Sequence, residues 1–285
     1  MSKKTKKNAF LILPASLLLL SIIIYPTIYM WYMSFMRNTP LLTKFVGFSN
    51  FINLLKDDNF RRALFNTAYF SIGAVSMQFI FGLSIALALN RDFFGKNLVL
   101  WIIMIPMIIP PVVVGLTFRI LYEPQYGMIN YILNLFGIDG FSWLTNSFLA
   151  MPSIIMADVW NWTPFIALIM LSGLQYMPRD ILESARLDGA SKWQTFYYIT
   201  LPILKPLISI ALVFRFIMVI RTFALIYMTT RGGPGVATQT MSISIFLEAF
   251  NYMNYGIASA QSILLFIIVF IFIIVMRSKI KDELF

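Results

Sequence analysis

The residues best suited to chemistry are charged side chains inside long apolar segments. Asp158, Arg215 and Arg221 lie in segments that otherwise carry almost no charge. A charge at bilayer depth costs about 2.5–3.5 kcal/mol on insertion scales, so such residues are rare and mark candidate sites. Asp158 and Arg215 lie about nine residues inside opposite ends of their segments, near mid-membrane at 1.5 Å per residue. We expect them to pair, either as a purely structural ion pair or as part of a cavity wall that binds solute hydroxyl groups.

Two tryptophans and an amide follow Asp158 directly. Aromatic faces and amide groups bind polyhydroxylated solutes, so Trp160, Asn161 and Trp162 are candidate contacts on the substrate path, together with Asp158 and the two arginines. A belt of interfacial tryptophans is the alternative, although these lie deeper than such a belt. Proline residues at 106, 110, 111 and 164 predict kinks, whose freed carbonyls must face protein or a watery cavity.

Composition excludes several kinds of chemistry. The chain has no His and no Cys, which removes imidazole acid–base catalysis, thiolate nucleophiles and the commonest soft metal ligands, and we predict no metal site. Carboxylates such as Glu123 and Glu248 are too scattered to suggest a catalytic site. The net charge of +10 comes from basic residues between apolar segments, without the aromatic-interleaved basic stripe of a nucleic-acid binder.

The elements that must position these residues are membrane-spanning helices. Hydrophobic residues make up 59% of the 285 residues, charged residues 12%, and the mean hydropathy is +0.80. Six apolar segments are near the ~20 residues that cross a bilayer. The prediction is an all-α polytopic protein with one transmembrane domain over 1–285, and the first segment is an uncleaved helix rather than a signal peptide. The predicted spans are 9–35, 63–90, 98–121, 149–175, 206–228 and 258–276.

Basic residues predict the orientation of these spans. With both termini in the cytoplasm, 13 Lys and Arg lie on the cytoplasmic side and six on the other side. The first outer loop, 37–62, is the exception, because its five basic residues favour the reverse. The totals favour a cytoplasmic N-terminus and C-terminus.

The cytoplasmic loop 176–205 carries a helical hairpin pattern. A first helix begins near Pro178, Gly189 interrupts it, and Ser191 with Gln194 forms a capping box that begins a second helix. We expect Pro202 and Pro206 to end that helix before the fifth span. The apolar residues predicted to be exposed as a docking face are Ile181, Leu182, Ala185, Trp193 and Phe196. The alternative is an amphipathic hairpin that only connects two spans.

Spacing in this loop resembles the EAA loop of ABC importer permeases, which is E-A-A, three residues, Gly, nine residues and I-x-L-P. Every interval matches, with Ser184 in place of the first Ala. The matching positions are Glu183, Ser184, Ala185, Gly189, Ile199, Leu201 and Pro202. Residues 229–240, 45–55, Asn66–Thr67 and the arginines at 215 and 221 are similar to the carbohydrate-uptake branch, although Ala224 stands where an Asp is frequent.

This resemblance implies a type I ABC importer permease fold in the bacterial cytoplasmic membrane. It implies a heterodimer with a second, homologous permease, an ABC ATPase dimer that binds ATP and Mg²⁺, and an extracytoplasmic sugar-binding protein. The matching loop positions, with Asp188 and Ala190, would couple to the ATPase, and Gly232, Gly233, Pro234 and Gly235 would contact the binding protein. A plain connecting turn is the alternative for those four.

No cofactor is expected on this chain, since it has no GxxxxGK[ST] motif, and it is expected to be a non-catalytic transport subunit. Other functions remain open: a secondary transporter of small polar solutes, or an ABC permease for a non-carbohydrate solute. The sequence does not reveal which sugar is carried, nor which permease of the pair contacts it.

Overall fold

The computed structural model of the protein describes residues 3–40 and 42–284. Side chains are described for all of these except residues 3–12, 14–17, 39, 179 and 277–284. The basic side chains near both ends, which entered the orientation argument, therefore lie outside the described residues.

The first half of the chain consists of helices and one small hairpin. The strands pair antiparallel, with Met36 opposite Phe45 and Thr39 opposite Leu42. The elements are α1 (Lys3–Ser34), β1 (Met36–Thr39), β2 (Leu42–Phe45), α2 (Ser49–Lys56), α3 (Asp58–Leu89), α4 (Lys96–Ile108), α5 (Pro111–Leu121) and α6 (Met128–Leu135).

The second half is helical in its described elements, with two short π-helical turns. These elements are α7 (Ala150–Tyr176), α8 (Arg179–Leu187), α9 (Lys192–Thr195), a π turn (Phe196–Thr200), α10 (Leu201–Ile220), α11 (Ala224–Thr229), α12 (Met241–Phe246), a second π turn (Leu247–Asn251) and α13 (Tyr255–Leu284).

Four helices in the described part of the chain are long and apolar enough to cross a membrane: Asp58–Leu89, Ala150–Tyr176, Lys192–Ile220 and Tyr255–Met276. Helices α4 and α5 together make a fifth candidate, bent by 96° between them. The bend lies at Pro110 and Pro111, where the ring removes the N–H donor and clashes with the preceding turn. The kink predicted for the segment 98–121 is present, and it is a full break.

One expectation about the loop 176–205 is wrong. Pro202 and Pro206 do not end the second helix of the hairpin, because a single helix runs from Lys192 to Ile220. Leu201 donates its N–H to the Phe196 carbonyl across the π turn, so Pro202 stands in the first turn after the change of hydrogen-bond pattern, where a missing donor costs little. Pro206 lies inside an apolar helix, where transmembrane segments tolerate proline.

By contact, the chain divides into two compact units. One comprises the residues up to Arg61 together with Ser244–Ile268, and it contains the β-hairpin and α2. There Asn50 donates its side-chain amide to the carbonyls of Ser34 (2.8 Å) and Met36 (2.9 Å), which joins α2 to the entrance of the hairpin. The segment 37–62, predicted only as a loop, is therefore a folded cap in this unit.

The other unit comprises Arg62–Ile243 and Val269–Phe285 and holds the apolar core that supports the site. Its centre includes Ile166, Met170 and Leu204, all nearly inaccessible to solvent. Helices α3 and α7 approach closely at Gly82, where a Cβ would lie 2.8 Å from the Ile166 Cβ and 3.1 Å from a backbone nitrogen. Small residues at such crossings let membrane helices pack backbone to backbone.

We predict that Gly82→Val separates α3 from α7 and lowers stability by about 1–3 kcal/mol, the usual cost of overpacking. The thermal midpoint of the purified chain in detergent measures this. Ala88→Val is the control, because Ala88 is exposed on the same helix and the change introduces the same branched side chain. Equal midpoints for the two variants would contradict the close crossing.

Candidate functional site

Three buried side chains from α3, α7 and α10 form a polar cluster. Arg215 forms an ion pair with Asp158 through its terminal guanidinium nitrogen, and its Nε donates to Gln78 Oε1 at 2.7 Å. Gln78 Nε2 in turn donates to Asp158 Oδ2 at 2.8 Å. The charged pair is 1% exposed on both sides. The predicted proximity of Asp158 and Arg215 is present, and each charge is compensated by its neighbour.

A cavity of about 320 Å³ opens beside this cluster. Its wall includes Asp158, Trp162, Arg215 and Arg221. The Arg215 guanidinium carbon lies 4.8 Å from the centre of the Trp162 ring, a cation–π contact. The second oxygen of Asp158, Oδ1, is buried and has no hydrogen-bond partner among the described residues. It is an unused acceptor beside a cavity, which suits a hydroxyl donor.

The three residues after Val159 do not act together. Trp162 lines the cavity with Asp158, whereas Trp160 packs edge-on against Phe118 and lines a separate apolar cavity of about 420 Å³. Asn161 is buried and donates its amide to the carbonyls of Pro106 and Ile109. Asn161 therefore satisfies carbonyls freed by the break between α4 and α5, as the bilayer requires.

Sequence reasoning missed Gln78. It is the amide that bridges both charged residues, and its signal was visible as a lone Gln in the apolar segment 63–90. Arg221, predicted for the substrate path, lies where α10 ends and is exposed, in contrast to the buried Arg215. Within the described residues it lines the same cavity without an acidic partner.

The hairpin between α7 and α10 is built around a left-handed glycine. Gly189 has φ +78°, and no atom would meet a Cβ there within 4 Å. Its N–H donates to the Arg186 carbonyl (3.1 Å), and the Ala190 N–H donates to the Ala185 carbonyl (3.0 Å). This pair of bonds is a Schellman motif, which ends a helix. Its left-handed glycine stands four positions after the residue whose carbonyl accepts the bond that spans more of the chain, here Ala185. The spacing from Ala185 to Gly189 therefore has a geometric reason.

The predicted capping box is present at the start of α9. The Ser191 hydroxyl accepts from the Gln194 N–H (3.3 Å), and the Gln194 side chain accepts from the Ser191 N–H (2.8 Å). One helix ends and the next begins within four residues, with their terminal groups satisfied locally. The hairpin is therefore a stiff unit.

The docking face is only partly as predicted. Ala185 is buried, and Leu182 and Phe196 are half-buried against the apolar core of the bundle, because this side of the hairpin packs onto its own chain. The exposed apolar residues of the hairpin are Ile181, Leu187, Trp193, Tyr197 and Tyr198. Of the predicted coupling positions, Glu183, Ser184, Asp188, Gly189 and Pro202 are exposed and Ala190, Ile199 and Leu201 are half-buried.

A notch of about 340 Å³ lies between the glycine turn of the hairpin and its second helix. Asp188, Gly189, Ala190 and Ile199 line it, with Gln194 and Tyr198. Four of the predicted coupling positions therefore line one open depression, while the triplet at 183–185 lies on α8 and does not line it.

The segment 229–240 is a compact turn rather than an open loop. The Thr238 hydroxyl donates to the Gly233 carbonyl (2.7 Å), and Asn66 on α3 donates to the carbonyls of Val236 and Gln239. Among the four predicted contact residues for the binding protein, Gly235 is exposed, Gly233 and Pro234 are half-buried, and Gly232 is buried. A Cβ at Gly232, whose φ is +95°, would lie 3.0 Å from the Ile243 side chain.

Glu123 and Glu248, the two carboxylates considered for catalysis, lie in separate surroundings and do not form a common site. Glu123 accepts from the N–H groups of Gln125 and Tyr126 and so stabilises a turn. Glu248 is partly buried, and burial, reinforced by the charge of Asp57, raises its pKa, while a hydrogen bond from Asn254 opposes that shift.

A family comparison identifies the chain. The model of the family "binding-protein-dependent transport system inner membrane component" matches residues 78–278, which include the cluster, the hairpin and the turn. The chain belongs to this family.

Two curated relatives match over most of their length. The trehalose/maltose transport system permease protein MalF of Thermococcus litoralis is 40% identical over 278 residues, covering 96% of this chain and 93% of that protein. The sulfoquinovosyl glycerol transport system permease protein SmoG of Agrobacterium fabrum is 35% identical over 259 residues, covering 90% and 84%.

Among solved structures, a chain of a bacterial ABC transporter involved in the import of the acidic polysaccharide alginate has the same fold. The TM-score is 0.85 at 24% identity, with 98% of each chain covered. The fold is therefore that of an ABC importer permease, as predicted.

We predict that Asp158→Asn destabilises the protein by about 3–5 kcal/mol, because it leaves the Arg215 charge buried without a counter-charge. The double variant Asp158→Leu with Arg215→Met should recover much of this loss. Thermal midpoints in detergent measure both effects. The control is Asp58→Asn, which breaks the exposed pair with Arg61 and should cost below about 1 kcal/mol. Equal losses for Asp158→Asn and Asp58→Asn would refute the buried pair.

Proposed function

We propose that this chain is the permease subunit of an ABC importer that carries a sugar or related polyol across the cytoplasmic membrane. ATP hydrolysis is assigned to a separate ATPase dimer that binds ATP and Mg²⁺. The observation that carries the proposal is the stiff hairpin with its open notch, at the spacing that resembles the EAA loop, in a chain of this family. The family's own description supports a solute-binding protein as partner.

We infer six spans with both termini in the cytoplasm. Under this topology α1, α3, the bent pair α4 and α5, α7, the helix Lys192–Ile220 and α13 each cross once. The excess of Lys and Arg on the cytoplasmic side supports this direction. The hairpin then faces the cytoplasm, and the turn at 229–240 faces the binding protein, with Gly235 as its exposed glycine.

Coupling follows from the way the hairpin is built. Helix ends that are satisfied within the hairpin do not need to rearrange when a partner binds, so the hairpin moves as a rigid body. We assign the notch and the exposed side chains around it, including Glu183 and Asp188, to the ATPase interface. Closure of the ATPase dimer would draw two such hairpins together, one from this chain and one from a second, homologous permease.

The substrate path is assigned to the cavity beside the polar cluster. Trp162 offers an aromatic face, Asp158 Oδ1 offers an acceptor, and Arg221 offers donors. Binding sites for small polar solutes combine an apolar wall with a few placed polar groups of this kind. We do not assign Trp160 and Asn161 to this path. Trp160 lines a different cavity, and Asn161 donates a hydrogen bond to the Pro106 carbonyl near the bend between α4 and α5. The sugars named for the relatives differ from one relative to another. They support a sugar or related polyol as the class of solute, and they do not favour one particular sugar.

We predict that Gly189→Pro abolishes association with the ATPase while membrane insertion stays normal. Proline fixes φ near −65°, so it cannot adopt the +78° that the Schellman turn requires. Co-purification of co-expressed ATPase subunits, and uptake of labelled trehalose and maltose, measure the effect.

The control for this variant is Gly95→Pro. Gly95 is also left-handed, at φ +81°, and also has open space around its Cβ position, but it lies in the loop between α3 and α4. Gly95→Pro should keep the ATPase bound. Uptake at the unmutated level with Gly189→Pro would count against the coupling role.

We predict that single cysteines at positions 193 and 235 label from opposite sides of the membrane. The natural chain has no Cys, so Trp193→Cys and Gly235→Cys each give one reporter. An impermeant maleimide should label position 235 in right-side-out vesicles and position 193 only in inside-out vesicles. Labelling of both positions from the same side would overturn the six-span topology.

A further inference from the structure

A cavity of about 640 Å³ forms a groove along α3, apart from the polar cluster and the notch. Phe79, Ile80, Leu83, Ser84 and Leu87 line it along one face of the helix. From Phe79 to the end of α3 at Leu89 the helix rises about 15 Å at 1.5 Å per residue, the thickness of one hydrocarbon leaflet of a ~30 Å core. Phe196 of the hairpin closes its side.

The end of the groove next to the hairpin is polar and basic. Asn90 and Arg91 lie in the loop that follows α3, and Lys192 and Trp193 come from the start of α9. Both basic residues are exposed, and among the described residues neither has an acidic partner. Lys96 in the same loop differs, because it pairs with Asp92 at 3.4 Å. Two uncompensated cations therefore stand at the mouth of an apolar groove.

We propose that this groove binds an acidic phospholipid of the cytoplasmic leaflet. The acyl chain lies along α3, and Arg91 and Lys192 hold the anionic headgroup. Basic residues at the cytoplasmic end of membrane helices attract anionic lipids, and the exposed Trp193 suits the headgroup level. The choice of leaflet rests on the proposed function, because it requires the hairpin to face the cytoplasm.

Charge selects this occupant over a helix of a partner permease. A purely apolar helix would fill the groove but leave Arg91 and Lys192 unpaired at its mouth. A phospholipid matches both parts, with a chain for the apolar face and a phosphate for the cations. The bound lipid would touch both α3 and the first turn after Ser191, so the coupling hairpin would be supported partly by lipid.

The test uses the full-length chain in nanodiscs of neutral lipid doped with a photoactivatable phosphatidylglycerol, followed by mass-spectrometric mapping of the labelled peptides. We expect labelling concentrated on residues 79–91. Arg91→Ala with Lys192→Ala should reduce it by roughly 30-fold, and either change alone by about fivefold, at about 1 kcal/mol per basic residue near the surface. Lys96→Ala, the matched loss of one charge outside the groove, should leave labelling unchanged.

A second variant separates groove binding from general surface charge. Ser84→Trp fills the groove and keeps both cations, and it should also reduce labelling, whereas Ala68→Trp, exposed on the same helix away from the groove, should not. Unchanged labelling with Ser84→Trp would overturn the groove. The labelling is then repeated on the co-purified assembly. Protection of residues 79–91 by a cross-linked partner permease would assign the groove to that subunit and overturn the lipid proposal.

These outcomes are distinct from those that test transport. If the unmutated protein shows no labelling but still binds the ATPase and takes up sugar, the lipid proposal is wrong and the importer proposal stands. If residues 79–91 are labelled but the hairpin binds no ATPase, lipid binding stands and the importer proposal is wrong.

Discussion

The buried ion pair between Asp158 and Arg215 is the constraint on which the rest of the large unit depends. A charge left alone at this depth costs several kcal/mol, so α7 and α10 can pack only with these two residues at the same level and facing each other. Gln78 extends the requirement to α3, because its amide forms a hydrogen bond with each of the two charged residues. Rotation or sliding of any one of the three helices would break a bond that nothing else replaces. The cavity beside the cluster is therefore held in shape by charge pairing as well as by apolar packing.

The hairpin shows a different kind of constraint, in which backbone hydrogen bonds dictate sequence spacing. A Schellman turn needs a residue that tolerates positive φ near its end. Gly189 is that residue here, four positions after Ala185, whose carbonyl accepts from the Ala190 N–H. Ser191 then begins the next helix at once. A small residue at 185 also suits the packing, since its side chain is buried. Part of the spacing that resembles the EAA loop thus reflects how a stiff hairpin is built.

Features governed by rare residues or local bonding could be predicted from the sequence. The pair Asp158–Arg215 stood out because charges are rare in apolar segments, and the capping box at Ser191 because its bonds are local. Features that depend on which way a helix faces could not. Trp160 and Trp162, two positions apart on α7, point about 200° apart at 100° per residue and so serve different cavities. Gln78 acquires its role only when three helices meet, and the burial of Ala185 depends on how the folded hairpin packs.

The unbroken helix from Lys192 to Ile220 connects these two constraints. It spans about 35 Å between the hairpin and Arg215 at 1.5 Å per residue, and the sequence had suggested a break where none exists. Under the proposed coupling, a helix of this length would carry a movement of the hairpin to the ion pair. Because breaking that pair would cost several kcal/mol, we infer that α3, α7 and this helix move together as one body. Under the proposed transport function, opening and closing of the substrate path would occur where that body ends, at the break between α4 and α5 and at Thr222–Phe223 beyond α10.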